Sequence, residues 1–170
     1  MATASPDALE SHGPSMNVRY DMIACHVVRP DASGGSHEFL QLRRRSDDYL
    51  GGTWQIVRGR CEGDELAWRA ALRELQEETS LQPREFYKLS LMEQFYLVPG
   101  ETVWHVPSFV AVVDRDAEVR LNGEHEAYRW IPRERIDAES MWAGERIVLA
   151  EIFRDILDDG PAKPHLRVKL

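Results

Sequence analysis

The chain has 170 residues, 43% of them hydrophobic and 29% charged, which suits one soluble globular domain with tails. Its formal net charge of −8 argues against nucleic acid as the main partner, because such proteins neutralise phosphates with a basic surface. No run approaches about eighteen consecutive apolar residues and the start lacks a basic, then apolar, leader, so neither a membrane span nor a secretory signal is expected.

Two cysteines, Cys25 and Cys61, lack metal-type spacing and read as free thiols of a reducing, cytoplasmic compartment. Residues 1–16 read as a flexible tail, 17–159 as a single domain and 160–170 as a loose C-terminal tail. Residues 18–28 and 38–45 read as two strands around a Gly-containing turn. In the second, alternation sets Gln41, Arg43 and Arg45 on one face and Leu40, Leu42 and Arg44 on the other. Residues 53–58 predict a strand running straight into Gly59, and Trp54 there is either core or a stacking surface for a base. Residues 86–98 and 102–114 predict a hairpin around Pro99-Gly100-Glu101. Tyr128 and Trp130 alternate in a short strand, 132–139 reads as a short turn, and 142–157 predicts a second helix stopped by Asp158-Asp159-Gly160-Pro161.

The informative stretch is 59–81, GRCEGDELAWRAALRELQEETSL. Trp68, Ala71, Leu72 and Leu75 form a core-facing helical stripe. Glu74, Glu77 and Glu78 fall at i, i+3 and i+4, one turn apart on one face. Glu74 and Glu78 have no basic residue one turn away, and Glu77 has only Arg73 in the less favourable order. The group also lies towards the helix C-terminus, where the macrodipole disfavours each anion by about 0.3–1 kcal/mol. Self-repelling carboxylates set against the dipole point to a hard divalent cation, Mg²⁺ or Mn²⁺.

This stretch resembles the Nudix box, Gly-x5-Glu-x7-Arg-Glu-aliphatic-x-Glu-Glu-x-Gly-aliphatic. Gly59, Glu65, Arg73, Glu74, Leu75, Glu77, Glu78 and Leu81 stand at the motif positions. Ser80 stands where the family has a second Gly, at a helix end that often needs a left-handed residue. A Ser there costs about 1 kcal/mol in strain. The resemblance implies an α/β (α+β) fold, the Nudix-type α/β/α sandwich with a mixed β-sheet. It also implies metal ligation by the Gly59 carbonyl, Glu74, Glu77 and Glu78, and a bracing pair of Glu65 with Arg73. Arg45, second of a terminal arginine pair, matches a substrate contact of the family.

Residues 124–130, EHEAYRW, resemble one branch in particular, the dihydroneopterin triphosphate and dATP pyrophosphohydrolases, in which a loop glutamate also binds metal. Glu124 holds that position, and Glu77 and Glu124 are both candidates for the general base. The implied activity is metal-dependent hydrolysis of a phosphoanhydride in a nucleoside triphosphate-type substrate, dATP or dihydroneopterin triphosphate-like, with release of pyrophosphate. The partner is then a small nucleoside phosphate, and a homodimer is left open. Two alternatives stand beside it. One is a pyrophosphatase of the same family acting on ADP-ribose, a nucleotide sugar or an oxidised nucleotide. The other is a non-catalytic nucleotide-binding sensor, against which the presence of all four box glutamates weighs.

Overall fold

The computed structural model describes residues 16–170, so the expected N-terminal tail lies outside the described residues up to residue 15. The elements are β1 (Asn17–Arg19), β2 (Met22–Pro30), β3 (His37–Arg44), β4 (Trp54–Gln55), β5 (Val57–Arg60), α1 (Ala67–Thr79), β6 (Glu85–Leu97), β7 (Thr102–Val112), β8 (His125–Pro132), α2 (Arg133–Glu139), α3 (Ala143–Glu151) and α4 (Lys163–Leu166). The strands join in one mixed sheet. β7 runs parallel to β1 and β2 and antiparallel to β6, while β2 and β3 are antiparallel, and β5 and β8 attach to β2 and β3. Two cores cover the two faces, as the alternation of apolar residues along the strands requires. Ala70, Ala71 and Leu75 of α1 pack on Ile23, Cys25, Val27, Leu40, Leu42 and Val57. Val148, Leu149, Ile152 and Ile156 pack on Val28, Phe39, Tyr87 and Val110. This is the mixed-sheet, two-layered helix cover expected from the sequence.

Several local expectations change. The first predicted strand is broken at Tyr20 and Asp21 into β1 and β2. The predicted strand before Gly59 is split at Ile56: β4 pairs with β3, but β5 crosses to pair with β2. The chain thereby passes from one half of the sheet to the other. The predicted turn after Pro132 is the seven-residue α2. The second predicted helix is α3 continued by a wide π-helical turn, Ile152–Leu157. The C-terminal segment, expected to be loose, carries α4 with Leu166 buried, and the Val168 N–H donates to the Phe86 carbonyl. Leu166, with Ala162 and Val168 partly buried, and a short backbone bridge to β6 dock it, a signal too sparse to read as periodicity.

Candidate active site

Gly59 on β5 lies directly against Glu74 on α1. A β carbon on Gly59 would overlap the Glu74 carboxylate, so only glycine permits this approach without displacing that side chain. The strand-loop-helix order makes the contact. β5 ends at Arg60, the chain turns, and α1 comes back with its acidic face under the strand.

Arg73 organises the loop. Its Nη2 and Nε donate to Glu65 at 2.9 and 3.2 Å, its Nη2 to the Arg60 carbonyl at 2.8 Å, and its Nη1 to Glu74 at 2.9 Å and to Glu77 at 3.1 Å. Arg73 thus joins Glu65, as the resemblance implies, and also holds two of the three clustered glutamates. The Glu65 carboxylate next to it raises the Arg73 pKa. Ser80 ends α1 in the left-handed region at φ 58°, its N–H donating to the Gln76 carbonyl.

Glu78 is the most deeply placed of the three α1 glutamates. It is 3% exposed, and its Oε2 has no partner. Burial, reinforced by the negative charges of Glu74, Glu124 and Glu77 and opposed by Arg44, pushes its pKa up to about 9. Burial also raises Glu74, against the pull of Arg73. Glu124 precedes β8. Its N–H donates to Asn122 Oδ1 at 3.0 Å and its carbonyl accepts from the Arg45 N–H at 3.0 Å. Among the described residues no three acidic, His or Cys side chains already converge as a closed metal cage. The donor chemistry nonetheless fits a hard cation: oxygen atoms only, one of them an orphaned buried carboxylate oxygen, beside a carbonyl-bearing glycine.

Glu74, Glu124 and Gly59 open onto a cleft of about 650 Å³, which Arg44, Arg58 and Glu93 also line, with Tyr49, Phe95, Tyr96 and Trp142 as aromatic walls; the buried Glu78 lies behind this lining. Glu77, 54% exposed and tied to Arg73, stands outside this lining. Two expected substrate contacts lie elsewhere. Arg45 turns to Asp47, with two bonds of 3.0 Å, and Trp54 is covered by the Arg129 guanidinium at 4.3 Å. Neither lines the cleft. The correction for the arginine has a local cause. The β3–β8 register shifts between Arg43 and Arg44, and such a bulge re-aims the side chains that follow it. Arg44 therefore reaches the cleft, with its Nη2 2.6 Å from Asp48. Arg58 and Glu93 were not anticipated, because they meet across 35 residues of sequence. His125 is buried with Nδ1 3.4 Å from Asn122 Oδ1, and burial lowers its pKa.

Residues 22–152 match the family described as NUDIX domain. A bis(5'-nucleosyl)-tetraphosphatase [asymmetrical] of Sus scrofa is 33% identical over 107 residues, covering 60% of this chain and 69% of that protein. An octanoyltransferase of Myxococcus xanthus is 38% identical over 101 residues, covering 58% of this chain, but the match spans only 27% of that longer protein. The solved E. coli dihydroneopterin triphosphate pyrophosphohydrolase shares the fold, with a TM-score of 0.62 at 21% identity over 81% of this chain and 97% of that one. A match over residues 22–152, with the whole junction from β5 to α1 inside it, leaves one conclusion: the chain belongs to the Nudix family, and it is a hydrolase acting on acid anhydrides.

Proposed function

We propose that the protein hydrolyses a phosphoanhydride of a nucleoside triphosphate-type substrate, dATP or dihydroneopterin triphosphate-like, and releases pyrophosphate. The observation that carries this reading is Glu78, a buried carboxylate oxygen without a partner, within the electrostatic reach of Glu74 and Glu124, which line the aromatic-walled cleft together with Gly59. The sequence from Glu124 to Trp130 supports the triphosphate.

Glu74, Glu78, the Gly59 carbonyl and Glu124 would hold Mg²⁺ or Mn²⁺, with Glu77 joining after release from Arg73. A divalent cation there neutralises phosphate charge and acidifies bound water. The chain itself supplies position and proton transfer, which is most of what phosphoryl chemistry asks of a protein. Glu124, held by Asn122 and lining the cleft, is better placed than Glu77 to take a proton from water. Arg44, at the same end, balances phosphate charge. Phe95 and Trp142 offer faces for a heterocycle.

A second reading, a dinucleoside tetraphosphate, is favoured by the identity with the Sus scrofa protein. Incubation with Mg²⁺ and dATP, dihydroneopterin triphosphate, a dinucleoside tetraphosphate, ADP-ribose and a nucleotide sugar separates them by product. Monophosphate plus pyrophosphate supports the triphosphate reading. Mono- plus triphosphate moves the substrate to the dinucleoside class. Cleavage of ADP-ribose or the sugar nucleotide alone overturns both.

A further inference from the structure

Past the carboxylates, the cleft floor carries a second polar group that the hydrolytic chemistry does not use. Arg58 precedes Gly59 on β5 and, by strand alternation, projects from the opposite face. Its Nη2 donates to Glu93 at 2.5 Å and to Glu145 at 3.1 Å. Both carboxylates are at least nine-tenths buried, at 2% and 1% exposure, whereas Arg58 keeps 17% and lines the cleft. Arg58 Nε and Glu93 Oε1 are buried without partners. A β carbon on Gly144, at the start of α3, would come to 3.2 Å from the Glu93 side chain, and Trp142 and Phe95 line the same cleft as Arg58.

Two carboxylates compensate the Arg58 charge, so it offers directed N–H donors rather than a net attraction for phosphate. Each carboxylate fixes the guanidinium from a different element, β6 and α3. A rigid donor in a cleft that also carries aromatic side chains is the complement of a flat heterocycle with an acceptor on its edge.

We propose that Arg58 is a specificity-determining contact that reads the ring carbonyl of an oxo-purine or pterin base, with Glu93 and Glu145 as its positioning residues. An amino group at that edge, as in adenine, would set donor against donor. This inference rests on the nucleoside phosphate reading above and chooses within it the oxo-substituted bases over adenine.

The test uses nucleoside monophosphates, which contain no anhydride, so its result is independent of hydrolysis. Calorimetric titration of the unmutated protein with GMP, IMP and AMP is expected to give affinities for GMP and IMP about tenfold or more above AMP. Arg58→Lys keeps the charge but not the planar fork, and should bring the three within about threefold of one another. Its folding is checked by circular dichroism; should it not fold, the unmutated series alone decides. Equal affinities, an adenine preference, no binding by any of the three, or an unchanged ratio in folded Arg58→Lys each overturns the proposal. Failure to cleave any polyphosphate would instead overturn the hydrolytic reading, and leaves the base preference to be judged on these titrations.

Discussion

Gly59 and Glu74 touch so closely that the space for a β carbon on one is filled by the carboxylate of the other. The first is the last glycine before the loop, the second the first of the clustered glutamates, and the contact joins strand to helix at the acidic end of the cleft.

Gly59→Ala is therefore expected to push the Glu74 carboxylate aside, since a side-chain end moves more easily than a strand. Backbone strain is not involved, because Gly59 is not among the positive-φ residues. Turnover should fall about a hundredfold or more while the protein stays folded, the loss being one of misplaced oxygen ligands. Steady-state kinetics with Mg²⁺, beside a thermal melt, read both effects. Near-normal turnover would mean that the contact is packing alone.

Glu78→Gln separates stability from activity. Burial, with the charges of Glu74 and Glu124, pushes the folded carboxyl up to about 9 from the ordinary 4.5. A carboxyl raised on folding favours the folded state below its unfolded pKa. That advantage is lost as pH rises towards about 9, because the folded protein resists giving up the proton. Metal-free protein should thus lose stability from about pH 5 to pH 9, and Glu78→Gln should flatten that slope. At pH 8 the variant's metal-free Tm should rise about 2–4 °C, equivalent to about 1 kcal/mol for a chain of this size. Its turnover should nearly vanish and its Tm should no longer respond to Mg²⁺. A variant that melts lower without metal would show that Glu78 is held by something other than a cation.

Ser80→Gly restores the residue of the motif at a left-handed position, φ 58°. A residue with a β carbon there costs about 1–2 kcal/mol, and the Ser80 hydroxyl recovers little through a 3.5 Å contact with the Arg120 carbonyl. The expected result is a gain of about 1 kcal/mol in urea denaturation with kcat unchanged. A loss of stability would mean that the Arg120 contact outweighs the strain.

Leu166→Ala tests the docking of the C-terminal segment. Leu166 is 3% exposed against Tyr87 and Ile156 in the second core. Its truncation should cost about 2 kcal/mol or more, read as a lower urea midpoint at unchanged m-value. An unchanged midpoint would return the segment to the loose tail suggested by its composition.

The elements legible in the sequence were those written in local periodicity. The stripe from Trp68 to Leu75 called α1, the tight turn at Pro99-Gly100-Glu101 between two β-rich runs called the β6–β7 hairpin, and Tyr128 with Trp130 called β8. The spacing of Glu74, Glu77 and Glu78 set them on one helical face, and the departure at Ser80 fell where a left-handed turn is found. Periodicity does not report the bulge between Arg43 and Arg44, which depends on the register of a strand some 80 residues away and puts Arg44 rather than Arg45 at the cleft.

By itself, then, the sequence determined the helix with its acidic face, the loop glycine before it and the family to which they belong, because these are short-range patterns of spacing. The tertiary structure decided which groups meet: Gly59 under Glu74, Glu124 near Glu78, and Arg58 between Glu93 and Glu145. Those meetings come from β5 crossing to pair with β2 and from α3 closing over β6. Both are long-range pairings, whose energy lies in burial and register and not in any single segment of the chain.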